Sequence, residues 1–440
     1  MAQYFKSKKV LLNQDALCKP AVIKVEFGKI TGILDYDHQT PAEETKDLGD
    51  YMVLPGLVDT HAHINEPGRT EWEGFETATN AAASGGITTV VDMPLNSIPA
   101  TISLDALEVK RATAKGKCKI DYGFWGGVVP GNQNELQPMI DAGVIGFKCF
   151  LIESGVDEFK MVTRQDLEIA MPILAKNNIP LIVHAELDLP LKDNPKIDRS
   201  YISYLQSRPQ KWEVAAVKMM IDLCRETKCR THIVHLSAAD ALDDIRKAKQ
   251  DGLPFSVETC PHYLYFDAEH IHDGETFFKC APPIREKSNQ EKLWNALKDG
   301  TIDFIVSDHS PCTPALKCLN TGDFDKAWGG IAGLQFSFQA IVTAGKPHGF
   351  TTETCNRLMS LKTAQFANLP SKGKIAMGAS ADFFIFDEGS ETTVTEDTVL
   401  HKHKVTPYRG RVLQGKILET YLHGEKISIK PTGKEISRGN

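Results

Sequence analysis

The sequence predicts a (β/α)8 barrel with a small composite β-sandwich domain built from the two ends of the chain. From about residue 51, a strand pattern and a helix pattern alternate eight times without an internal sequence repeat. Eight such units close into a parallel barrel. Short alternating strands precede residue 51 and return after residue 378. A chain of 440 residues with 42% hydrophobic residues suits one large barrel with a smaller appendage.

The elements follow in order along the chain. Residues 21–27 and 30–34 alternate apolar and polar side chains between turn residues, which is typical of a small antiparallel sheet. The barrel strands are predicted near residues 51–58, 86–91, 120–124, 144–148, 179–184, 231–235, 253–257 and 302–306. Amphipathic helices are predicted at 164–177, 212–227 and 238–250, and a last helical region at 334–369.

Strand character returns at residues 378–387 and continues in short segments to residue 429. We expect these strands to join the N-terminal strands in one domain. The predicted boundaries are 1–53 for the N-terminal part of the sandwich, 54–374 for the barrel and 375–440 for the C-terminal part.

Composition narrows the partners and the compartment. The net charge is −7 and no Lys/Arg block occurs, so nothing favours nucleic acid or a membrane surface, and we expect a small neutral or polar substrate. Ten cysteines without a CxxC pair predict free thiols, including Cys224, Cys229, Cys312 and Cys318. Without a signal peptide or a long apolar run, we expect no transmembrane segment and a location in the cytoplasm or an organellar lumen, not secretion.

The segment His61-Ala62-His63 places two imidazoles on one face of the first barrel strand. These residues stand near the strand's C-terminal end, where a (β/α)8 barrel carries its chemistry. Two histidines of this kind are half of a metal site. Taken alone, the pair could equally fill space or bond to the backbone.

Further residues of ligand type fall at the ends of other barrel strands. The full set is His61 and His63 on strand 1, Lys148 on strand 4, His184 on strand 5, His235 on strand 6 and Asp308 on strand 8. Each histidine alone is more often a hydrogen-bonded core residue. Six residues of this kind on one barrel face predict a metal centre.

Lys148 requires a separate explanation, because an ammonium beside two divalent cations is unfavourable and its pKa must fall. A neutral amine can take up CO2, and the resulting carbamate is a carboxylate able to bridge two metals. The alternative for an isolated lysine at a strand end is a side chain that extends to solvent.

Asp308 follows the apolar run 304–306, so its carboxylate lies at the edge of a dry core and needs a partner or a metal. There it could take a proton and return it to a leaving nitrogen, which makes it the predicted catalytic residue. A helix N-cap is the structural alternative.

Several motifs together resemble the allantoinases, a branch of the cyclic amidohydrolase group in the amidohydrolase superfamily. They are residues 55–63 (PGLVDTHAH), 66–69 (EPGR), 72–75 (WEGF), 93–101 (MPLNSIPAT), 146–148 (GFK), 258–264 (ETCPHYL), 281–285 (APPIR) and 307–312 (SDHSPC). The resemblance implies two divalent ions per chain, zinc or similar, bridged by carboxylated Lys148. It assigns His61, His63 and Asp308 to the more buried ion and His184 and His235 to the other. It also implies a homo-oligomer, a tetramer or a dimer.

The chain departs from two similar groups in ways that bear on the substrate. Dihydroorotases carry a carboxylate-binding arginine two residues after HxH, where this sequence has Asn65. Dihydropyrimidinases and hydantoinases carry a tyrosine shortly after the bridging lysine, whereas residues 149–154 here contain none. A negatively charged ring is therefore disfavoured, and carbonyl polarisation is left to the metals.

The expected reaction is hydrolysis of the ring amide of allantoin to allantoate, with a small neutral cyclic ureide as substrate. Predicted contacts are Asn96, Ser310 and backbone groups near Ala281 and Gly330, although loop hydrogen bonding would explain each equally well. His262 and His309 are expected to pack behind the ligands. The alternatives are a hydantoinase or dihydropyrimidinase and, outside enzymes, an assembly protein of the same fold that has lost its ligands. The full ligand set argues against the last.

Overall fold

The computed structural model describes residues 2–13, 15–191 and 195–439. The strands are β1 (Gln3–Val10), β2 (Lys19–Glu26), β3 (Lys29–Leu34), β4 (Thr45–Asp47), β5 (Met52–Pro55), β6 (Leu57–Ala62), β7 (Ile87–Asp92), β8 (Asp121–Phe124), β9 (Gly126–Gly127), β10 (Phe147–Phe150), β11 (Leu181–His184), β12 (Thr231–Ile233), β13 (Phe255–Thr259), β14 (Phe304–Ile305), β15 (Phe383–Thr393), β16 (Val412–Leu422) and β17 (Glu425–Lys426).

The helices lie mostly between the barrel strands, as the alternating pattern predicts. They are α1 (Phe75–Ser84), α2 (Leu104–Ala114), α3 (Gln133–Asp141), α4 (Arg164–Lys176), α5 (Tyr201–Ser207), α6 (Gln210–Thr227), α7 (Leu242–Gln250), α8 (Pro261–Tyr265), α9 (Lys287–Lys298), α10 (Ser337–Gly345), α11 (Thr352–Met359) and α12 (Leu361–Phe366). The last predicted helical region is therefore three helices.

The barrel is formed by parallel strands β6 to β14 in sequence order. Strand β8 is interrupted at Trp125, so that β8 pairs with β7 and its continuation β9 pairs with β10. The ring closes between its last and first strands, where Ala62 bridges His309 and the His63 N–H donates to the His309 carbonyl at 2.7 Å. The predicted (β/α)8 architecture is confirmed.

The first barrel strand differs from the prediction, because the apolar run 51–58 divides at Gly56. Strand β5 pairs with β1 and β15 in the composite sheet, whereas β6 enters the barrel. A Cβ at residue 56 would collide with the side chain of Thr88. The close approach to β7 thus requires glycine at this corner, where the chain passes from one domain into the other.

The composite domain combines strands from both chain ends in one sheet of order β17-β16-β15-β5-β1-β2-β3, with β4 beside β1. Apolar side chains from the strands of both chain ends pack in one hydrophobic core. The ring of Phe5 on β1 lies 4.8 Å from that of Phe383 and 5.0 Å from that of Tyr421. This buried aromatic contact forms part of the sandwich core, and the predicted union of the two ends is confirmed.

The last strand ends at Lys426, earlier than the predicted residue 429, and the chain then returns to the barrel. The Gly433 N–H donates to the Cys118 carbonyl at 3.0 Å, and the Ile436 N–H donates to the Tyr122 carbonyl at 2.8 Å. The C-terminal segment therefore packs against the N-terminal end of β8, away from the strand ends that carry the ligand-type residues.

All ten cysteines are free thiols, as their spacing predicts. Within the described ranges, no helix combines the length and the apolar character needed to cross a bilayer.

Candidate active site

The C-terminal ends of the barrel strands position the six ligand-type residues. His61 lies within β6 and His63 just beyond it, Lys148 lies within β10, His184 ends β11, and His235 and Asp308 follow β12 and β14. All six are buried. His235 and Asp308 have φ angles of +40° and +45°, which non-glycine residues rarely adopt. Such strain is concentrated at functional sites, where surrounding structure holds it in place.

The six side chains converge on one region. Asp308 Oδ1 lies 3.1 Å from Nε2 of His61 and 3.7 Å from Nε2 of His63. The rings of His61 and His235 are 5.4 Å apart, and those of His184 and His235 are 4.6 Å apart. Lys148 reaches the same cavity. The sequence-predicted constellation is thus assembled in space.

Lys148 is fully buried, and its Nζ has no hydrogen-bond partner among the described residues. Burial lowers the pKa of this ammonium to about 8, although the charges of Asp308 and Glu258 partly oppose the effect. The lowered pKa increases the fraction of neutral amine near pH 7, and the neutral amine is the form that carbamate chemistry requires.

Two carboxylates orient histidines of the set from behind. Glu258 Oε1 lies 2.5 Å from Nδ1 of His61, and Glu186 Oε2 lies 2.7 Å from Nε2 of His184. The opposite ring nitrogens, Nε2 of His61 and Nδ1 of His184, are thereby turned toward the region where the ligand-type residues converge. This carboxylate–histidine arrangement is usual behind metal-binding imidazoles.

The donor set fits metal ions. Nδ1 of His235 and Nζ of Lys148 are buried without a hydrogen-bond partner among the described residues, and Nε2 of His61 lies 3.1 Å from Asp308 Oδ1 without a well-aligned hydrogen bond. Buried polar groups normally have partners, so these three nitrogens around Asp308 fit the ligands of a metal ion. The ligand atoms of His61, His63 and Asp308 lie within 4.8 Å of one another, close enough to share one ion.

Sequence reasoning gave no role to Glu186 or Glu258. Glu258 also accepts from Nε2 of His232 at 3.0 Å, and Arg208 holds Glu186 through bonds of 2.6 and 3.0 Å. Burial alone would raise the pKa of Glu258, but the two histidines outweigh it and lower that pKa to about 2. For Glu258, the available signal was an acidic residue at the end of a predicted barrel strand, where a buried carboxylate must have a partner.

His262 and His309 lie close behind the ligands, as expected. Ligand atoms of Cys260 and His262 approach that of Asp308 within 4.8 Å, and burial lowers the pKa of His262 to about 4. Nδ1 of His309 accepts the Gly333 N–H at 3.2 Å. His262 is therefore neutral near pH 7.

A cavity of about 560 Å³ opens over the strand ends. It is lined by five of the six ligand-type residues and by all four predicted substrate contacts, Asn96, Ala281, Ser310 and Gly330. Asn96 places Nδ2 3.4 Å from Nδ1 of His63, and its Oδ1 has no hydrogen-bond partner within the described part of the chain. A Cβ at residue 330 would collide with Ser310, so only glycine allows these two segments to touch.

Asn65 stands where dihydroorotases carry a carboxylate-binding arginine. It is buried and donates from Nδ2 to the Pro311 carbonyl at 3.2 Å. Asn65 is uncharged and does not line the cavity described above, whose cationic lining residues besides Lys148 are Lys279, Lys326 and Arg208, the last of which is paired with Glu186.

Comparisons with known proteins agree with this geometry. The model of the amidohydrolase family matches residues 52–426. The chain is 47% identical over 431 residues to an allantoinase of Streptomyces avermitilis, covering 96% of this chain and 95% of that protein. It is 44% identical over 431 residues to an allantoinase of Saccharomyces cerevisiae, covering 94% and 93%. The solved structure of an L-hydantoinase (dihydropyrimidinase) from Arthrobacter aurescens superposes over the full length of both chains, with a TM-score of 0.92 and 30% identity.

The chain therefore belongs to the amidohydrolase family and, within it, to the allantoinases. It is a hydrolase of a metal-dependent family, and its buried His61, His63 and Asp308 form a candidate ligand cluster.

Proposed function

We propose that this enzyme opens the five-membered ring of allantoin by hydrolysing its cyclic amide, with allantoate as the product. The observation that carries the proposal is the convergent set of ligand-type residues beneath a cavity that Asn96 and Ser310 line with uncharged polar side chains. The relatives named allantoinase, from bacteria to yeast, support the same substrate.

In the proposed centre, His61, His63 and Asp308 would hold one divalent ion and His184 and His235 a second, with carboxylated Lys148 between them. Imidazole and carboxylate ligands suit zinc. Bound divalent ions supply an activated water at neutral pH and polarise the carbonyl that is attacked.

Asp308 performs the proton transfers. Its carboxylate borders both the ligand cluster and the cavity, so it can accept the proton released by the attacking water and return it to the departing ring nitrogen. Asn96 and Ser310, with backbone groups at Ala281 and Gly330, would orient the ring through hydrogen bonds. Glu258 and Glu186 hold His61 and His184 in position during the reaction.

A hydantoinase or dihydropyrimidinase is the second candidate, favoured by the full-length likeness to the Arthrobacter aurescens structure. Residues 149–154 supply no tyrosine to the cavity, and this distinguishes the chain from the pattern expected of that group. We further propose that the chain acts as a homo-oligomer, a tetramer or a dimer, in the cytoplasm or an organellar lumen.

The test is steady-state kinetics on allantoin, hydantoin, dihydrouracil and dihydroorotate, with metal content measured on the same sample. We expect the highest kcat/KM for allantoin and about two divalent ions per chain. Arg208, the arginine that lines the cavity, is already paired with Glu186, and position 65 carries no arginine. Burying the dihydroorotate carboxylate without a dedicated partner costs several kcal/mol, so its kcat/KM should be at least about a thousandfold lower. Comparable values for allantoin and dihydroorotate would refute the proposed substrate, and a metal-free, inactive chain would favour the assembly protein.

A further inference from the structure

Trp328 lies on the segment between β14 and α10 and lines the cavity. Its indole Nε1 is shielded from solvent and has no hydrogen-bond partner among the described residues. A buried tryptophan N–H usually finds an acceptor, because leaving it unpaired costs free energy. Trp328 is not one of the ligand-type residues, and an N–H that only donates cannot bind a metal ion. The missing partner is therefore an acceptor.

The indole is held in place on several sides. The backbone N–H of Trp328 donates to the Leu316 carbonyl at 2.8 Å, and the backbone carbonyl of Trp328 accepts from Nζ of Lys317 at 2.9 Å. Its ring meets that of Trp72 edge to face at 4.8 Å, and a Cβ at Gly155 would lie 3.8 Å from its outer edge. Fixed backbone and ring contacts preorganise the unpaired donor before a ligand arrives.

Asn96 lines the same cavity and carries an unpaired group of the opposite kind. Its Oδ1 is a buried acceptor without a partner among the described residues, while Nδ2 of the same side chain lies 3.4 Å from Nδ1 of His63. A urea group carries a carbonyl oxygen and N–H groups in one small plane, so it can satisfy a donor and an acceptor together.

We infer that the indole N–H of Trp328 determines specificity by donating a hydrogen bond to the carbonyl oxygen of a urea-type substituent on the ring. This inference rests on the proposed function, because allantoin carries such an arm and unsubstituted hydantoin does not. Trp328 thus distinguishes substrates by the group outside the ring, while the strand-end residues act on the ring amide.

The test compares Trp328→Phe with wild-type enzyme on allantoin and hydantoin. The variant keeps an aromatic ring against Trp72 but loses the N–H. We expect kcat/KM for allantoin to fall about tenfold to a hundredfold, because a substrate carbonyl is left unpaired. For hydantoin, kcat/KM should change less than about twofold. If hydantoin is turned over too slowly to measure, its inhibition constant as a competitor of allantoin should change less than about twofold. Trp212→Phe, which removes the indole N–H of another cavity-lining tryptophan that already donates to the Leu189 carbonyl, is the matched control and should preserve the selectivity.

Substitution of benzothienylalanine at position 328 replaces the N–H by sulfur with almost no change of shape, so it provides the same test if Trp328→Phe folds poorly. If the wild-type enzyme hydrolyses allantoin but the variant loses kcat/KM equally on both substrates, or keeps the wild-type selectivity, the inference about Trp328 is overturned and the proposed function is not. A wild-type enzyme that does not hydrolyse allantoin would overturn the proposed function and the inference with it.

Discussion

At the scale of single residues, Lys148 combines complete burial with a nitrogen that no described residue satisfies. A simple structural lysine would extend to solvent or pair with a carboxylate. Lys148 does neither, although Asp308 and Glu258 are near enough to act on its charge. A carbamate would convert this unsatisfied amine into an anion within reach of several histidines.

We predict that Lys148→Ala loses bound metal and activity together, because the bridging anion is removed. Short carboxylic acids added in solution should partly restore both by occupying the vacated space. Metal analysis and turnover with and without acetate or propionate measure the effect. A variant that retains two ions and near-normal turnover would show that Lys148 is not the bridge.

Asp308 is proposed to transfer protons. Substitution by asparagine keeps nearly the same shape but removes the carboxylate that accepts a proton. Burial alone would raise the pKa of this carboxyl, but His61 and the other histidines outweigh it and hold the pKa well below its usual value. We predict that Asp308→Asn lowers kcat roughly 10²- to 10⁴-fold, the range that general acid–base groups supply. A loss of only about threefold, with normal metal content, would remove Asp308 from the proton transfers.

At the scale of elements, helix α2 is fixed to strand β7 by a buried ion pair directly behind the site. Nζ of Lys110 lies 2.7 Å from Asp92 Oδ2 and 2.8 Å from the Met93 carbonyl, and both charged side chains are almost fully buried. Asp92 Oδ1 also accepts the Ile64 N–H at 2.8 Å. The pair therefore joins a helix to the ends of two barrel strands, one residue beyond His63.

We predict that Lys110→Met destabilises the fold by about 3–5 kcal/mol, because it leaves the Asp92 carboxylate buried without its cation. The double variant with Asp92→Asn removes both charges and should recover part of this loss. Chemical denaturation of four proteins, the wild type, Lys110→Met, Asp92→Asn and the double variant, measures the coupling. Additive losses in the double variant would mean that the two charges do not stabilise each other.

At the scale of the whole molecule, a buried cluster joins the barrel to the composite domain. Nζ of Lys372 lies 2.5 Å from Asp121 Oδ2 at the start of β8 and 2.6 Å from Asp382 Oδ2 just before β15. His423, between β16 and β17, approaches the Asp121 carboxylate at 3.1 Å. The cluster occupies the N-terminal end of the barrel strands, where residues stabilise the fold and do not take part in catalysis.

This cluster should make stability fall in acid. Burial alone would raise the pKa of Asp121, but the hydrogen bond from His423 and the charge of Lys372 outweigh it and lower the pKa. A carboxyl group whose pKa is lower in the folded state than the unfolded value of about 3.9 stabilises the fold, and this contribution is fully present above about pH 3.9. The contribution is lost as pH falls through the folded-state pKa, because the unfolded chain takes up the proton more readily.

We predict that Asp121→Asn lowers the thermal midpoint by roughly 5 °C near pH 7 and that the difference from wild type narrows below about pH 4. Asp157→Asn changes a fully exposed carboxylate and serves as the control, with almost no effect at either pH. If the difference in thermal midpoint between Asp121→Asn and wild type stays constant from about pH 7 to below about pH 4, titration of Asp121 is excluded as a source of acid sensitivity.

The sequence by itself determined the barrel, the joining of both chain ends and the convergence of the ligand-type residues. Alternation in strands and helices is a local property, and parallel strands of a closed barrel bring their C-terminal ends together wherever the loops lie. Residues placed at strand ends, such as His61, His184 and Asp308, therefore meet because of the fold class alone.

Only the tertiary structure decided the corner at Gly56, the orienting carboxylates and the unpaired indole of Trp328. Glu258 meets His61 across 197 residues of chain, and Gly56 is required by the nearby side chain of Thr88. Trp328 is distinguished by a buried indole N–H that has no hydrogen-bond partner among the residues that the structure describes. Packing and hydrogen-bond satisfaction are properties of the assembled interior, and a local pattern of residues does not specify them.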